Sequence, residues 1–186
     1  MEEEVWASSS EDEDDGLPRW MEGDSLAPFL GTPGAVLEKA LAFAELGEDD
    51  TVMDLGCGDG RLVIWAVLQG ARRGIGVDID EALVTKAARN ARKRGVAEKV
   101  DIFIGDLTAP DARVSNALQA ATLITTYLLP EALEVVEPLL VAQLRRPGMR
   151  LLTLGWPPPS LTPLKTTTLD LSPGCGMDAF YYSSLT

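Results

Sequence analysis

Three aspartates occupy the ends of successive apolar runs. Asp54 lies in the first run, Asp78 closes the second and Asp106 follows the third. If these runs are parallel strands, their carboxyl ends meet at one edge of a sheet and the three side chains lie near one another. Carboxylates in that position can accept hydrogen bonds from hydroxyl, amino or ammonium groups. The spacing therefore predicts a binding site for a polar ligand at this edge.

A glycine turn connects the first apolar run to a helix-like segment. Gly56, Gly58 and Gly60 alternate with other residues there. Glycine lacks Cβ, so the backbone can turn sharply and approach a ligand closely. The turn leads to a helix N-terminus, where free N–H groups face the ligand. Asp78 follows about twenty residues later, where a ribose-binding acid belongs in a Rossmann-like unit.

A dinucleotide site is the main competing interpretation. Its glycine pattern is Gly-x-Gly-x-x-Gly, whereas this chain has Gly-Cys-Gly-Asp-Gly, with the third glycine one residue early. The acid inside this loop, Asp59, would repel a pyrophosphate and suit a cationic ligand. A further alternative is that the glycines form ordinary tight turns and the acids are solvated.

The elements that must position these residues alternate between strand and helix. Pro33 to about Gly47 is predicted to be a first helix capped by Thr32. Hydrophobic patterning predicts parallel strands at 51–55, 73–78, 100–105, 120–126 and 149–154, and helices at 60–69, 81–94 and 130–144. Two final strands, 165–171 and 179–185, flank a turn at 172–176 and predict a β-hairpin.

Composition bounds the class of protein. The 186 residues contain no histidine, which excludes Ser-His-Asp and Cys-His catalysis, and we predict no metal site. Cys57 and Cys175 cannot form a disulfide framework and fit a reducing compartment. No apolar run approaches the ~20 residues that cross a bilayer. We expect one folded domain over 25–186.

The net charge of −13 is concentrated at the N-terminus, since residues 1–24 carry ten acids and one base. We predict that 1–24 is an acidic, disordered tail. It resembles neither a signal peptide nor a transit peptide, so we expect an intracellular, cytoplasmic protein. A charge of this sign disfavours nucleic acid as a partner. The basic residues of 81–94 allow either a nucleic-acid groove or a solvated helix face with cations near its C-terminus.

The pattern Asp-x-Gly-x-Gly-x-Gly, then Gly-x-Asp, then Gly-Asp resembles the class I S-adenosyl-L-methionine (AdoMet) methyltransferases. This resemblance implies an α/β, Rossmann-like, doubly wound sheet of seven mostly parallel strands in the order 3-2-1-4-5-7-6, with the last strand antiparallel. It also implies AdoMet as cofactor. The cofactor-binding residues implied are Asp54, Gly56, Cys57, Gly58, Gly60, Asp78, Ile79, Asp106 and Leu107.

The resemblance gives these residues separate roles. The glycine turn runs beside the methionine part of the cofactor, and Cys57 contacts the cofactor through its backbone instead of its sulfur. Asp54 attracts the cofactor's ammonium from beneath the turn, through water. Asp78 accepts hydrogen bonds from both ribose hydroxyls, and Asp106 faces the adenine amino group.

A closer resemblance covers about 27–186 and points to the compact protein-lysine methyltransferases. This group includes the mitochondrial enzymes for adenine nucleotide translocase and the ATP synthase c-subunit. Four segments carry it, namely 27–33, 54–64, Trp-Pro-Pro-Pro at 156–159 and the aromatic strand 178–182. It implies a protein substrate methylated on lysine.

Gly31 departs from the family pattern because it stands where the family has a proline. An acidic tail takes the place of the hydrophobic N-terminal segment of the mitochondrial members, so we do not transfer their targets, and we hypothesise that it recruits a basic protein.

The acceptor is expected at the end of the fourth strand, where Tyr127 is the candidate catalytic residue. It could orient an amine or place its ring against a cation; alternatively it is an ordinary rim aromatic. Some amine methyltransferases of DNA, RNA and glutamine have Asn/Asp-Pro-Pro-aromatic here, and Thr126-Tyr127-Leu128-Leu129-Pro130 lacks that pattern. The alternatives to lysine methylation are a small-molecule or nucleic-acid acceptor, or an AdoMet-binding scaffold without turnover. The sequence leaves the oligomeric state open.

Overall fold

The computed structural model describes residues 34–172 and 174–184. The predicted tail 1–24, the segment 27–33 with its helix cap, and Leu185, the last residue of the predicted final strand, lie outside the described residues. Within them, seven strands form one sheet flanked by helices. No helix in these ranges is both long and apolar enough to cross a membrane.

The elements follow one another along the chain as expected for repeated βα units. The strands are β1 (Thr51–Leu55), β2 (Arg73–Asp78), β3 (Val100–Ile104), β4 (Leu123–Thr126), β5 (Arg150–Leu154), β6 (Lys165–Ser172) and β7 (Cys175–Ser183). The helices are α1 (Gly34–Phe43), α2 (Arg61–Leu68), α3 (Glu81–Lys93), α4 (Ala112–Ala120) and α5 (Pro130–Leu144), with a short 3₁₀ turn at Ala97–Lys99.

The strand order is β3-β2-β1-β4-β5-β7-β6, which confirms the predicted topology. The first five strands pair in parallel, and β7 runs antiparallel to both β5 and β6. The order reverses between β1 and β4, so the crevice for a ligand opens above the carboxyl ends of these two strands.

The central strands are buried on both faces. Met53 and Leu55 of β1 pack in a core with α4 and α5, whereas Val52 packs in a second core with α1 and α2. Because side chains alternate along a strand, Asp54 points to the same face as Val52. A carboxyl group is thereby placed between the sheet and the helices that cover it, instead of at the protein surface.

Several elements differ from the prediction. Helix α1 ends at Phe43, before the predicted end near Gly47. Helix α4 was not predicted, and β4 begins at Leu123 instead of residue 120, because residues up to 120 belong to α4. The side chain of Asp111 caps α4 by accepting the Val114 N–H at 2.8 Å. Strand β7 begins at Cys175, four residues before the predicted start, because the hairpin partner β6 extends to Ser172 and supplies backbone pairs.

Candidate active site

The glycine turn follows β1 with left-handed backbone at all three glycines. Their φ angles are +75° at Gly56, +54° at Gly58 and +76° at Gly60, which side chains with Cβ rarely adopt. The N–H groups of Gly56 and Cys57 both donate to the carbonyl of Val77, at 2.9 and 3.0 Å. These two hydrogen bonds therefore hold the turn against the end of β2.

Two of these glycines also permit close packing. A Cβ at Gly56 would lie 2.8 Å from Leu128 Cδ2, in the loop after β4. A Cβ at Gly60 would lie 2.8 Å from the Cβ of Ala87 on α3. Asn90, also on α3, donates from Nδ2 to the Asp59 carbonyl at 3.0 Å. The turn is thus enclosed by the β4 loop on one side and α3 on the other.

Asp78 ties the turn to the start of α3. Its Oδ2 accepts the Gly58 N–H at 2.8 Å and its Oδ1 accepts the Asp80 N–H at 3.0 Å. Asp80 caps α3 by accepting the N–H groups of Ala82 and Leu83. Each oxygen of the half-buried Asp78 carboxylate retains acceptor capacity after one hydrogen bond, so the group can also accept from a ligand.

Asp54 lies beneath the turn and is only 5% exposed. Its Oδ1 accepts a hydrogen bond from Thr125 Oγ1 at 2.7 Å. Burial raises the pKa of Asp54 to about 8; the Thr125 hydrogen bond opposes this rise, and the charges of Asp78 and Asp59 add to it. Without a cation nearby the carboxyl is largely protonated at neutral pH, whereas a cationic group beside it would favour the carboxylate.

Asp59 does not play the part that the sequence suggested. Its buried carboxylate forms a two-point ion pair with Arg61, with Nε–Oδ1 of 2.9 Å and Nη2–Oδ2 of 2.7 Å. The guanidinium compensates the charge of Asp59 at the start of α2. Our interpretation that this acid selects a cationic ligand is therefore revised, and Asp54 and Asp78 remain as the acids beside the turn.

Asp106 lies beyond the end of β3, next to β2. The Gly105 N–H donates to the Asp78 carbonyl at 2.9 Å, so the two strand ends lie side by side. The exposed Asp106 carboxylate accepts both the N–H and the hydroxyl of Thr108 at 2.7 Å, and these hydrogen bonds lower its pKa. Leu107 packs partly against the core.

Two exposed aliphatic side chains border this edge. Ile79, which was predicted, is 44% exposed, and Ile104, which was not, is 50% exposed. Ile104 pairs in register with Asp78, so it lies at the same strand ends as the acids. Sequence reasoning missed it because an apolar residue in a strand is normally assigned to the core; only its exposure marks it as a candidate ligand contact.

Tyr127 follows β4 and forms an aromatic pair with Trp156, which follows β5. Their rings stack with centroids 6.2 Å apart and planes inclined at 25°. Gly155 makes room for this pair, since a Cβ there would lie 2.9 Å from Tyr127 Cε2. Burial raises the pKa of Tyr127, with a smaller contribution from Cys175 at the hairpin. Trp156 and Gly155 were not predicted as site residues, although a tryptophan directly after a strand end was a usable signal.

The residues at this edge fit AdoMet in their chemistry. The site offers an acceptor-rich carboxylate at the end of β2, exposed aliphatic surface at β2 and β3, and a buried carboxyl group that a cation would ionise. The absence of Cβ at Gly56 and Gly60 lets the turn pack closely between Leu128 and Ala87. Ribose hydroxyls, an adenine ring and an ammonium group would each find a matching partner here.

Comparison with known proteins agrees with this assignment. The family model described as ANTKMT methyltransferase domain matches residues 54–165. A protein-lysine N-methyltransferase from Saccharolobus islandicus is 33% identical over 137 residues, which cover 70% of this chain and 81% of the relative. A ribosomal protein L11 methyltransferase from Alteromonas mediterranea is 31% identical over 104 residues, or 52% of this chain and 36% of that protein.

A solved structure is also similar over most of its length. The RNA methyltransferase from Salinibacter ruber, in complex with S-adenosyl-L-homocysteine, superposes with a TM-score of 0.71 at 35% identity and covers 83% of this chain and 94% of that one. Fold, site and comparisons define a class I methyltransferase whose cofactor is AdoMet. Within that class, the chain belongs to the ANTKMT methyltransferase domain family.

Proposed function

We propose that this enzyme methylates the side-chain amine of a lysine in a protein. The observation that carries the proposal is the Tyr127–Trp156 pair, which stands at the carboxyl ends of β4 and β5 beside the switch point. A pair of stacked rings provides an apolar wall for the methylene chain of a lysine and an attractive face for its cationic end. The similar protein-lysine N-methyltransferase supports the same acceptor class.

We assign the cofactor contacts residue by residue. Asp78 accepts the ribose hydroxyls, Asp106 faces the adenine amino group, and Ile79, Ile104 and Leu107 contact the adenine ring. Gly56, Cys57, Gly58 and Gly60 contribute backbone beside the methionine part, and Asp54 attracts its ammonium. When bound, AdoMet supplies a methyl group on a sulfonium that is already a good leaving group.

The protein then has to position and deprotonate the amine. The ordinary pKa of lysine is about 10.4, so most amines arrive as ammonium ions. An apolar site beside a second cation lowers that pKa and favours the neutral nucleophile. Because burial raises the pKa of Tyr127, its hydroxyl keeps its proton at neutral pH. Tyr127 therefore acts as a hydrogen-bonding group that orients the amine, and the amine's proton passes to solvent.

RNA is the second candidate acceptor, because the similar solved structure is that of an RNA methyltransferase. The residues after β4 argue against it. Thr126-Tyr127-Leu128-Leu129-Pro130 contains no Asn or Asp and only one proline, unlike the Asn/Asp-Pro-Pro-aromatic segment of several base-amine methyltransferases. The acidic net charge of −13 also opposes binding to phosphates.

The test is transfer of labelled methyl groups from AdoMet to a cell extract by the full chain. Products are separated by protease and nuclease digestion, and labelled protein is hydrolysed to amino acids. We expect the wild-type enzyme to place label in methyl-lysine and Asp78→Ala to place none. Trp156→Ala should place less label although this variant still binds AdoMet. Nuclease-sensitive label would support RNA instead. A lack of label despite AdoMet binding would contradict turnover on the extract's proteins.

A further inference from the structure

Helix α3 presents a row of basic side chains to solvent. Arg89, Arg92 and Lys93 are exposed, and half-buried Lys86 lies one turn earlier on the same side. The opposite side of the helix is buried through Ala87 and Ala91. We call Lys86, Arg89, Arg92 and Lys93 the basic face of α3. The acids of this helix region lie at its N-terminal end, where Asp80 is the N-cap and Glu81 is in the first turn.

The described chain begins beside the C-terminal end of this helix. A Cβ at Gly34, the first residue of α1, would lie 3.0 Å from Cη2 of Trp65. The guanidinium carbon of Arg94, the residue after α3, lies 5.8 Å from the centroid of the Trp65 ring. One tryptophan therefore bridges the start of α1 and the end of α3, and residues 1–33 join the domain at this point.

The segment that joins there has the opposite charge. Residues 1–24 carry ten acids and one base, and five of the acids stand together at 11–15. About twenty residues separate this run from Gly34, and a flexible chain of that length has an end-to-end distance of about 24 Å. Helix α3, with 13 residues, is about 20 Å long. The acidic run can therefore reach the whole basic face.

We infer that the acidic segment 1–24 docks on the basic face of α3 of the same chain. A tether of this length gives the acidic segment an effective concentration of about a millimolar at the basic face. A separate acidic partner at micromolar concentration would therefore compete poorly for the same surface. The contacts are solvent-exposed ion pairs, so each is weak and salt-sensitive, and several must act together. The segment is then held by its own domain instead of serving to recruit a basic substrate.

The docked segment would lie on the helix that supports the glycine turn. The buried side of α3 contacts Gly60 through Ala87, and Asn90 holds the Asp59 carbonyl. The inference does not depend on which acceptor is methylated, since it concerns a surface outside the Tyr127–Trp156 pair.

Carbodiimide cross-linking of the full chain tests this inference, because the reagent joins carboxylates to lysine amines only at direct contact. Lys86 and Lys93 report on the basic face, and exposed Lys39 on α1 is the control, since it lies close to Gly34 and is equally within reach. After proteolysis and mass spectrometry, we expect residues 11–15 joined to Lys86 or Lys93 at least tenfold more often than to Lys39. The preference should disappear in about 0.5 M salt.

Charge reversal provides the matched comparison. Arg89→Glu with Arg92→Glu removes two exposed cations and leaves both reporter lysines in place, and we expect at least a fivefold loss of the cross-links. Arg72→Glu with Arg145→Glu makes the same charge change at other exposed positions and should leave them unchanged. Unaltered thermal unfolding of each variant verifies its fold.

Three outcomes would overturn the inference. The first is labelling of Lys39 as strong as that of Lys86 and Lys93, because reach alone would then explain the cross-links. The second is cross-links that join two chains instead of one. The third is that the wild-type chain binds a labelled RNA probe at about 0.15 M salt and that the Arg89→Glu, Arg92→Glu variant does not. The basic face would then be open to nucleic acid.

Discussion

Asp54 and Thr125 are joined across β1 and β4 by a hydrogen bond of 2.7 Å from Thr125 Oγ1 to Asp54 Oδ1. The two residues are register partners in the sheet, and both are buried. The bond lies where the strand order reverses, so it connects the strand that leads into the glycine turn with the strand that leads to Tyr127. Burial nevertheless dominates the ionisation of Asp54 and raises its pKa to about 8.

Replacing Asp54 by Asn should flatten the pH dependence of stability. An aspartate in the unfolded chain has a pKa of about 3.9, whereas that of folded Asp54 is about 8. Between these values the folded state holds a proton that the unfolded state has released, so the free energy of unfolding falls as pH rises. At about 1.4 kcal/mol per pKa unit, we expect the wild type to lose about 4 kcal/mol more than Asp54→Asn between about pH 5 and 8. Urea denaturation measures this, with the exposed Asp170→Asn as control; equal slopes would contradict it.

Replacing Thr125 by Val should shift the pH dependence of AdoMet binding. The Thr125 hydrogen bond lowers the pKa of Asp54, so its loss raises that pKa further. If ionised Asp54 attracts the cofactor's ammonium, affinity rises with pH as the carboxyl ionises, and the midpoint of this rise should move upward in Thr125→Val. Calorimetric titration at several pH values measures the shift. Thr125→Ser, which keeps the hydroxyl, should restore the wild-type midpoint, and an unmoved midpoint in Thr125→Val would count against this role of Asp54.

Replacing Asp78 by Ala should weaken AdoMet binding about 100-fold. The change removes the proposed acceptor of the ribose hydroxyls and leaves the N–H groups of Gly58 and Asp80 without their carboxylate partner; charged hydrogen bonds contribute about 1.5–3 kcal/mol each. Asp78→Asn keeps one carbonyl acceptor and should be intermediate. Asp106→Ala should cost about tenfold or less, because that carboxylate is exposed. Equilibrium dialysis with AdoMet ranks the three variants, and near-wild-type affinity of Asp78→Ala would refute the site assignment.

Replacing Gly155 by Ala should impair turnover through the aromatic pair. The φ angle is +81° at Gly155 and +76° at Gly148, so alanine costs about 1–2 kcal/mol of backbone strain at either position. A Cβ at Gly155 would also lie 2.9 Å from the Tyr127 ring, whereas a Cβ at Gly148 meets nothing within 4 Å. Both variants should therefore lose stability through backbone strain, with a further loss in Gly155→Ala from the contact with the ring. Only Gly155→Ala should lower kcat/KM, by about tenfold or more. Equal kcat/KM in the two variants would show that the ring position is unimportant.

Alkylation should distinguish the two cysteines. Cys57 is buried in the glycine turn, and burial raises the pKa of its thiol well above the usual value, with the charges of Asp54 and Asp78 adding to the rise. Because the thiolate is the reactive form, iodoacetamide at about pH 8 should modify exposed Cys175 and leave Cys57 intact until the protein unfolds. Peptide mass spectrometry of native and urea-treated samples measures this. Rapid labelling of Cys57 in the native protein would mean that the turn opens readily.

Local patterns in the sequence determined the parts of the structure that depend on neighbouring residues. The apolar runs before Gly56 and Asp78 correspond to β1 and β2 because a strand buried on both faces needs a continuous apolar stretch. The run before Asp106 corresponds to the edge strand β3, of which only Phe103 is fully buried. The alternating glycines predicted the turn because only glycine readily adopts its positive φ angles. The family resemblance supplied the strand order, which the structure confirms.

Helix α4 escaped prediction because one of its main stabilising contacts comes from a distant residue. Arg146, which follows α5, caps the C-terminal end of α4 by donating to the carbonyls of Leu118, Gln119 and Ala121. That cap leaves no signal within the helix itself. The local signals, the N-cap Asp111 and the buried Val114, Ala117 and Leu118 at helical spacing, were missed, so the start of β4 was placed too early.

Only the tertiary structure decided how the candidate site residues interact. The sequence places Asp54 and Asp59 five residues apart, yet folding buries Asp54 against Thr125 and pairs Asp59 with Arg61. Likewise, Tyr127 and Trp156 become an aromatic pair because β4 and β5 are neighbours in the sheet. Residue type and spacing indicate which groups are available, but burial and through-space distance set their pKa values and partners, and both depend on the packing of segments that are remote in the chain.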